Sequence, residues 1–251
     1  MAKVSGIGDR LYVGAFDLSG DVGAVGRVSG SVATLEATGM SSSAMERLFG
    51  LRDGGIDFTS YWNDSAGGAM AVLSLLPTTD VGVSYFKGHT LGAVCANLNA
   101  KELDYVPTRG NDGSLTMQST FSATTSENLN LAWGVELTAG QRTDTSGTNP
   151  TSGLDDLSGV PTSTSFGATV FVHLLSLTGT NVIFTLRDAA TEPTYAAVSG
   201  GAATSMTAAG YQRWSTGSTQ AIRRYLTIGT SGTFTSAVFI VGVVRHATAV
   251  I

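Results

Sequence analysis

The stretch Gly55-Ile56-Asp57-Phe58-Thr59-Ser60-Tyr61-Trp62-Asn63 decides the fold class. Apolar and polar residues alternate along it with a period of two, the pattern of a strand with one face in a core and the other in water. Ile56, Phe58 and Tyr61-Trp62 mark it as heavily apolar. Outward from it the same texture recurs. Residues 11–16 (LYVGAF) read as a strand closed by the turn-rich Asp17-Leu18-Ser19-Gly20-Asp21, and residues 31–38 (SVATLEAT) alternate again. Residues 81–86 and 91–96 form a predicted hairpin about Lys87-Gly88-His89. Residues 98–106 and 114–121 form another, joined through Asp112-Gly113, whose glycine accepts the positive φ of a tight turn.

Two short helices are expected between these strands. Residues 41–50 (SSSAMERLFG) carry cap chemistry: Ser43, then Glu46 three positions on, then apolar residues, then Gly50. Residues 66–76 (AGGAMAVLSLL) end at Pro77 and put Met70, Leu73 and Leu76 on one face, an ordinary core stripe.

From residue 139 to 164 the texture changes. Residues 140–153 (GQRTDTSGTNPTSG) are turn formers without apolar spacing. This predicts a first β domain over residues 1–140, a linker or long loop over 141–164, and a second, smaller β-sandwich over 165–251. The second unit is read from strands at 166–177, 181–187, 195–198, 220–228 and 234–244. The fold class is all-β with one or two short helices, a sandwich or barrel followed by a smaller sandwich.

Composition narrows the functional classes. Asp, Glu, Lys and Arg make up 13% of the chain, against roughly 25% in average soluble proteins. Mean hydropathy is +0.17, yet the longest apolar run, residues 237–244 (AVFIVGVV), suits one buried strand and falls far short of the ~20 residues that span a bilayer. No membrane partner is expected. A surface of Gly, Ser, Thr and Ala lacks the charge that resists association. It suits a subunit covered by its neighbours, or alternatively a Ser/Thr-coated secreted domain; Met1-Ala2-Lys3-Val4-Ser5-Gly6 leads into no apolar segment, so no secretory leader is expected. The formal net charge of −5 argues against tight nucleic-acid binding, which needs a basic stripe to displace counterions from phosphates.

The residues that carry chemistry are scattered. His89, His173 and His246 share no ligand spacing, and Cys95 has neither a disulfide partner nor a second metal-binding cysteine. Cys95 reads as a small core residue. No G-x-S-x-G elbow occurs. The glycine-rich Gly20-Asp21-Val22-Gly23-Ala24-Val25-Gly26 lacks the lysine and spacing of a phosphate loop. Asp155-Asp156 lies in the linker, where solvation is expected. No catalytic, metal or cofactor site is expected, and the chain is read as a non-enzyme.

An ordered series of segments resembles the major tail tube proteins of long-tailed (siphovirus-type) bacteriophages, especially those of actinobacterial phages. The series is Asp17-Leu18-Ser19-Gly20-Asp21, Ser43-Ala44-Met45-Glu46-Arg47, Leu51-Arg52-Asp53-Gly54-Gly55-Ile56-Asp57-Phe58, Leu75-Leu76-Pro77-Thr78-Thr79-Asp80, residues 105–115 (YVPTRGNDGSL) and residues 133–140 (WGVELTAG). It spans most of residues 1–140; the second domain looks like the β-sandwich appendages of tail and capsid proteins. The resemblance implies a tail-tube-type β domain whose copies form stacked hexameric rings, a conduit through which DNA passes on ejection without specific binding. It also implies partners among tape measure, terminator and baseplate proteins, and a location in the virion tail, with assembly in the host cytoplasm. A net-acidic subunit suits a conduit that repels phosphates. Within that picture inter-ring or inter-subunit contacts are expected from Met45, Leu48, Phe49 and Leu51, four large apolar residues on a helix-bearing loop; the competing reading is that they cap the local core. The alternatives are a capsid decoration or head–tail connector protein, or a glycan-binding virion module using Trp214, Tyr211 and Tyr225.

Overall fold

The structure is a computed structural model and describes residues 5–76, 79–124, 131–157 and 163–246. Residues 55–61 lie in β4 (Arg47–Tyr61), paired with β3 (Val22–Glu36) on one side and β7 (Leu115–Ala123) on the other. The alternation is realised as read for Ile56 and Phe58, which are buried, while Asp57 and Thr59 are half-exposed on the opposite face. Phe58 stacks on Phe121 of β7, ring centroids 5.7 Å apart. The sheet continues through the second half of β6 (Val94–Arg109), and the first half of β6 pairs with β5 (Val81–Phe86). Beyond β5 lie β1 (Arg10–Val13) and the short β2 (Phe16–Asp17). The buried faces of these strands enclose one core, plugged by α1 (Ala69–Leu73) through Ala69 and Leu73. The Asp21 carboxylate accepts hydrogen bonds from Ala69 N–H and Asn63 Nδ2, which fixes where α1 begins. That helix is shorter than the 66–76 expected, and Pro77 lies outside the described residues.

The other expected helix does not form. Residues 47–50 open β4, and residues 37–46 make the end of a long β3–β4 hairpin. The polar groups read as a helix cap serve the hairpin end instead. Ser42 Oγ donates to Glu46 Oε1 at 3.0 Å, and Glu46 N–H donates to Thr38 Oγ1 at 3.0 Å. A helix of under three turns with no core beneath it has only weak propensity to hold it. The competing ladder runs from Val22↔Ser60 to Glu36↔Arg47.

The second half is built on β12 (Ala168–Ala189) and β16 (Tyr225–Arg245), antiparallel from Ala168↔Arg245 to Ala189↔Tyr225. The sequence reading divides each into two strands at its polar middle; the structure joins them. Gly179 and Gly232, at φ +149° and +122°, occupy that middle, where the register also shifts and the strands bend. β13 (Ala196–Ala202) and β14 (Gly210–Ser215) flank β12, while β8 (Ala132–Glu136), β9 (Arg142–Asp144) and β10 (Leu154–Asp155) flank β16. β11 (Ser163–Thr164) and β15 (Ile222–Arg223) form a small sheet of their own. A second core fills this half, with Phe184 and Phe239 in edge contact at 4.8 Å.

The two halves are joined by more than a tether. β8 pairs with β6 at Val94↔Val135 and with β16 at Val243↔Val135, so one sheet runs through both. His173 of β12 is fully buried at the junction. Its Nδ1 lies 2.7 Å from the Gly14 carbonyl oxygen and its Nε2 2.8 Å from Ser84 Oγ. The Tyr211 ring lies against Gly82, where any Cβ would overlap it. Cys95 is buried here with Tyr12, Phe86 and Ile240, and burial pushes its thiol up to about 12. Residues 142–155 lie along β16 through β9 and β10. Asp155 and Asp156 are not simply solvated: Asp155 pairs with Arg224, and Asp156 pairs with Arg245 at 2.6 Å, both of the latter side chains under 10% exposed. Arginines of β16 and its approach thus capture two carboxylates that local composition assigns to water.

Candidate functional site

β4 is bonded to β7 only from Gly55 onward. Residues 30–53 therefore leave the body as a two-stranded arm. All of it is exposed except Ser42 and Gly50, which are half-buried. Short two-stranded ribbons are marginal in water by themselves, and this one carries an apolar load. Phe49 and Leu51 are each 87% exposed, Leu48 59% and Met45 58%. Opposite residues in an antiparallel pair share a face. Leu48 opposes Leu35 on one face and Phe49 opposes Thr34 on the other, so both faces of the arm present large apolar groups. The structure thus brings Met45, Leu48, Phe49 and Leu51 together on one projecting element and leaves them away from the core. Sequence reasoning missed Val32, Leu35 and Met40, which extend the same surface. The alternation in residues 31–38 held the signal, since a strand facing a hairpin partner shares its exposure.

The arm is part of a wider asymmetry. Every large hydrophobic side chain exposed among the described residues lies between Ile7 and Trp133. Two strand edges on this side are also open. Among the described residues β3 bonds only to β4, and β6 beyond Ala100 bonds only to β7. An open edge offers a row of unpaired N–H and C=O groups as a template for another strand.

Among the described residues no cluster of three or more His, Cys, Asp or Glu could hold a metal ion, and no helix is long and apolar enough to cross a membrane. Residues 22–26 of the glycine-rich stretch lie in β3. The aromatic trio makes no exposed platform. Tyr211 is packed beside His173 at 5.1 Å, and Trp214 packs on the second core with Nε1 donating to Gly201 O at 3.0 Å. Burial raises the Glu102 carboxyl to about 8 and the Glu136 carboxyl to about 7, the latter despite the hydrogen bond donated to Glu136 Oε1 by Gly140 N–H at 2.6 Å. Burial lowers His173 to about 4. These three shifts come chiefly from desolvation.

The architecture is that of a mainly antiparallel β protein with one large sheet running through both halves, a small two-stranded sheet and an exposed two-stranded arm. No protein-family model and no curated protein matches the chain. Among solved structures it is similar to a chain of the virion of a native gene transfer agent particle, at 10% identity and TM-score 0.41, over 52% of this chain and 98% of that one. A chain of an extracellular contractile injection system, the PVC sheath/tube terminator in its extended state, is similar at 10% identity and TM-score 0.40, over 53% of this chain and 97% of that one. The SPP1 Dit (gp 19.1) protein, described as a hub adsorption apparatus of phages infecting Gram-positive hosts, is similar at 12% identity and TM-score 0.35, over 97% of this chain and all of that one. Likenesses this distant carry no functional argument.

Proposed function

We propose that this chain is a non-enzymatic structural subunit of a bacteriophage tail tube, assembling as stacked hexameric rings that enclose the conduit for DNA ejection. The observation that carries this reading is that every exposed large apolar residue among the described residues lies between Ile7 and Trp133, beside the open edges of β3 and β6. In the proposed division, residues 1–140 build the tube, 165–251 face outward and 141–164 connect them. Pairing the open β3 edge with a neighbour's open β6 edge would close six small sheets into one barrel and leave no edge exposed. The arm, with Met45, Leu48, Phe49 and Leu51, would reach the adjoining ring. Burying a side chain of that size contributes about 1.5–3 kcal/mol, so several together favour stacking appreciably. A net charge of −5 is compatible with a lumen that lets DNA slide. Tape measure, terminator and baseplate proteins would be further partners in the virion tail.

Negative-stain microscopy of the purified chain tests the reading. Tubes with a lumen wide enough for duplex DNA are expected. Isolated rings that never stack would point to a connector role instead, and a monomer at every concentration would remove the assembly reading altogether.

A further inference from the structure

A cleft of about 390 Å³ opens at the junction of the halves, lined by Arg10, Tyr12, His89, Ala139, Gly140 and Gln141. Three chain segments meet there: β1, the 87–93 turn and the 137–141 loop. Alternation along β1 turns Leu11 and Val13 into the first core and leaves Arg10 and Tyr12 on the same opposite face. Among the described residues no carboxylate lies within 4.0 Å of Arg10, which is half-buried.

Gln141 Nε2 donates to Tyr12 Oη at 3.3 Å and to Asp17 Oδ2 at 2.7 Å, so the phenol is an acceptor in that bond and its own proton is uncommitted. The Asp17 carboxylate accepts hydrogen bonds from Ser19 and Gln141, and its charge as well as that of Arg10 acts on the Tyr12 phenol. Gly140 N–H, in the cleft wall, donates to Glu136 Oε1, while Glu136 Oε2 is buried with no partner. Within the cleft the Arg10 guanidinium and the Tyr12 phenol are the groups with donors to offer.

We propose that this junction cleft binds a small oxyanion, a carboxylate or phosphate group, with Arg10 as its principal ligand. The inference does not depend on tube formation. Guanidinium–oxyanion pairing is charge-assisted and geometrically suited to two parallel hydrogen bonds. The test is titration of the full chain with sodium phosphate and, separately, sodium acetate at constant ionic strength, followed by isothermal calorimetry. Saturable binding of at least one anion is expected. In Arg10→Gln, with circular dichroism unchanged, it should weaken at least about tenfold, the equivalent of roughly 1.4 kcal/mol. Arg52→Gln, exposed on the projecting arm, should bind as wild type. A phosphate-only response assigns phosphoryl ligands, an acetate-only response assigns carboxylates, and a response to both assigns the shared oxyanion chemistry. Absence of saturable binding of either anion, or equal affinity in Arg10→Gln, would overturn the proposal.

Discussion

At Phe49 the side chain is 87% exposed and faces Thr34 across the arm, so a carboxylate there disturbs no core. Phe49→Asp is expected to give a folded monomer with an unchanged thermal midpoint and no tubes in negative stain; normal tubes from this variant would sink the assignment. Asp156 is the opposite case. Its bidentate partner Arg245 also contacts the carbonyls of Ile222 and Arg223, and both charged side chains are buried. Removing one member of a buried pair strands the other charge, at a cost of roughly 3–5 kcal/mol. Asp156→Ala should therefore lower the urea midpoint sharply while leaving arm exposure to a protease unchanged.

The arm has strand geometry on both sides and no core beneath it, so it can be shortened without opening the body. Replacing residues 33–51 by Asn-Gly would join Val32 to Arg52, which already face each other, through a turn type suited to two-residue hairpins. The shortened protein should keep its thermal midpoint within a few degrees, because little buried apolar area is lost. Its rings should fail to stack. Tubes of ordinary length would show that stacking contacts lie elsewhere.

For the whole molecule, buried titratable groups set a pH window. The unfolded His173 titrates near its ordinary 6.5, but burial lowers the folded value to about 4. Its contribution is fully present above pH 6.5 and is lost as pH falls towards 4, because the unfolded chain takes up a proton that the folded chain refuses. Glu102 and Glu136, raised from 4.5 to about 8 and 7, act in the other sense. Their contribution is full below pH 4.5 and declines as pH rises towards 7–8. Above pH 6.5 only the glutamates among these three still act, so stability should fall from there to pH 8. Urea midpoints measured in the Phe49→Asp background, where assembly does not interfere, should show this decline. Glu136→Gln should reduce it, and a decline unaltered by that change would assign it to other groups.

How much of this was legible in the sequence differs by level. The period-two alternation at residues 55–61 determined β4 and its inward face, because side chains on a strand must alternate. Asp112-Gly113 determined a turn for the same kind of local reason. Local chemistry failed at residues 41–50, where a cap pattern without a core beneath it lost to a ladder with β3. It failed at Asp155-Asp156, whose arginine partners lie about 70 and 90 residues onward in the chain. Only the tertiary structure decided that Met45, Leu48, Phe49 and Leu51 stand exposed on an arm. Whether an apolar side chain is buried depends on which strands pair beside it, and β7 stops pairing with β4 at Gly55. The cleft at Arg10 is of the same kind, since it exists only where β1, the 87–93 turn and the 137–141 loop meet.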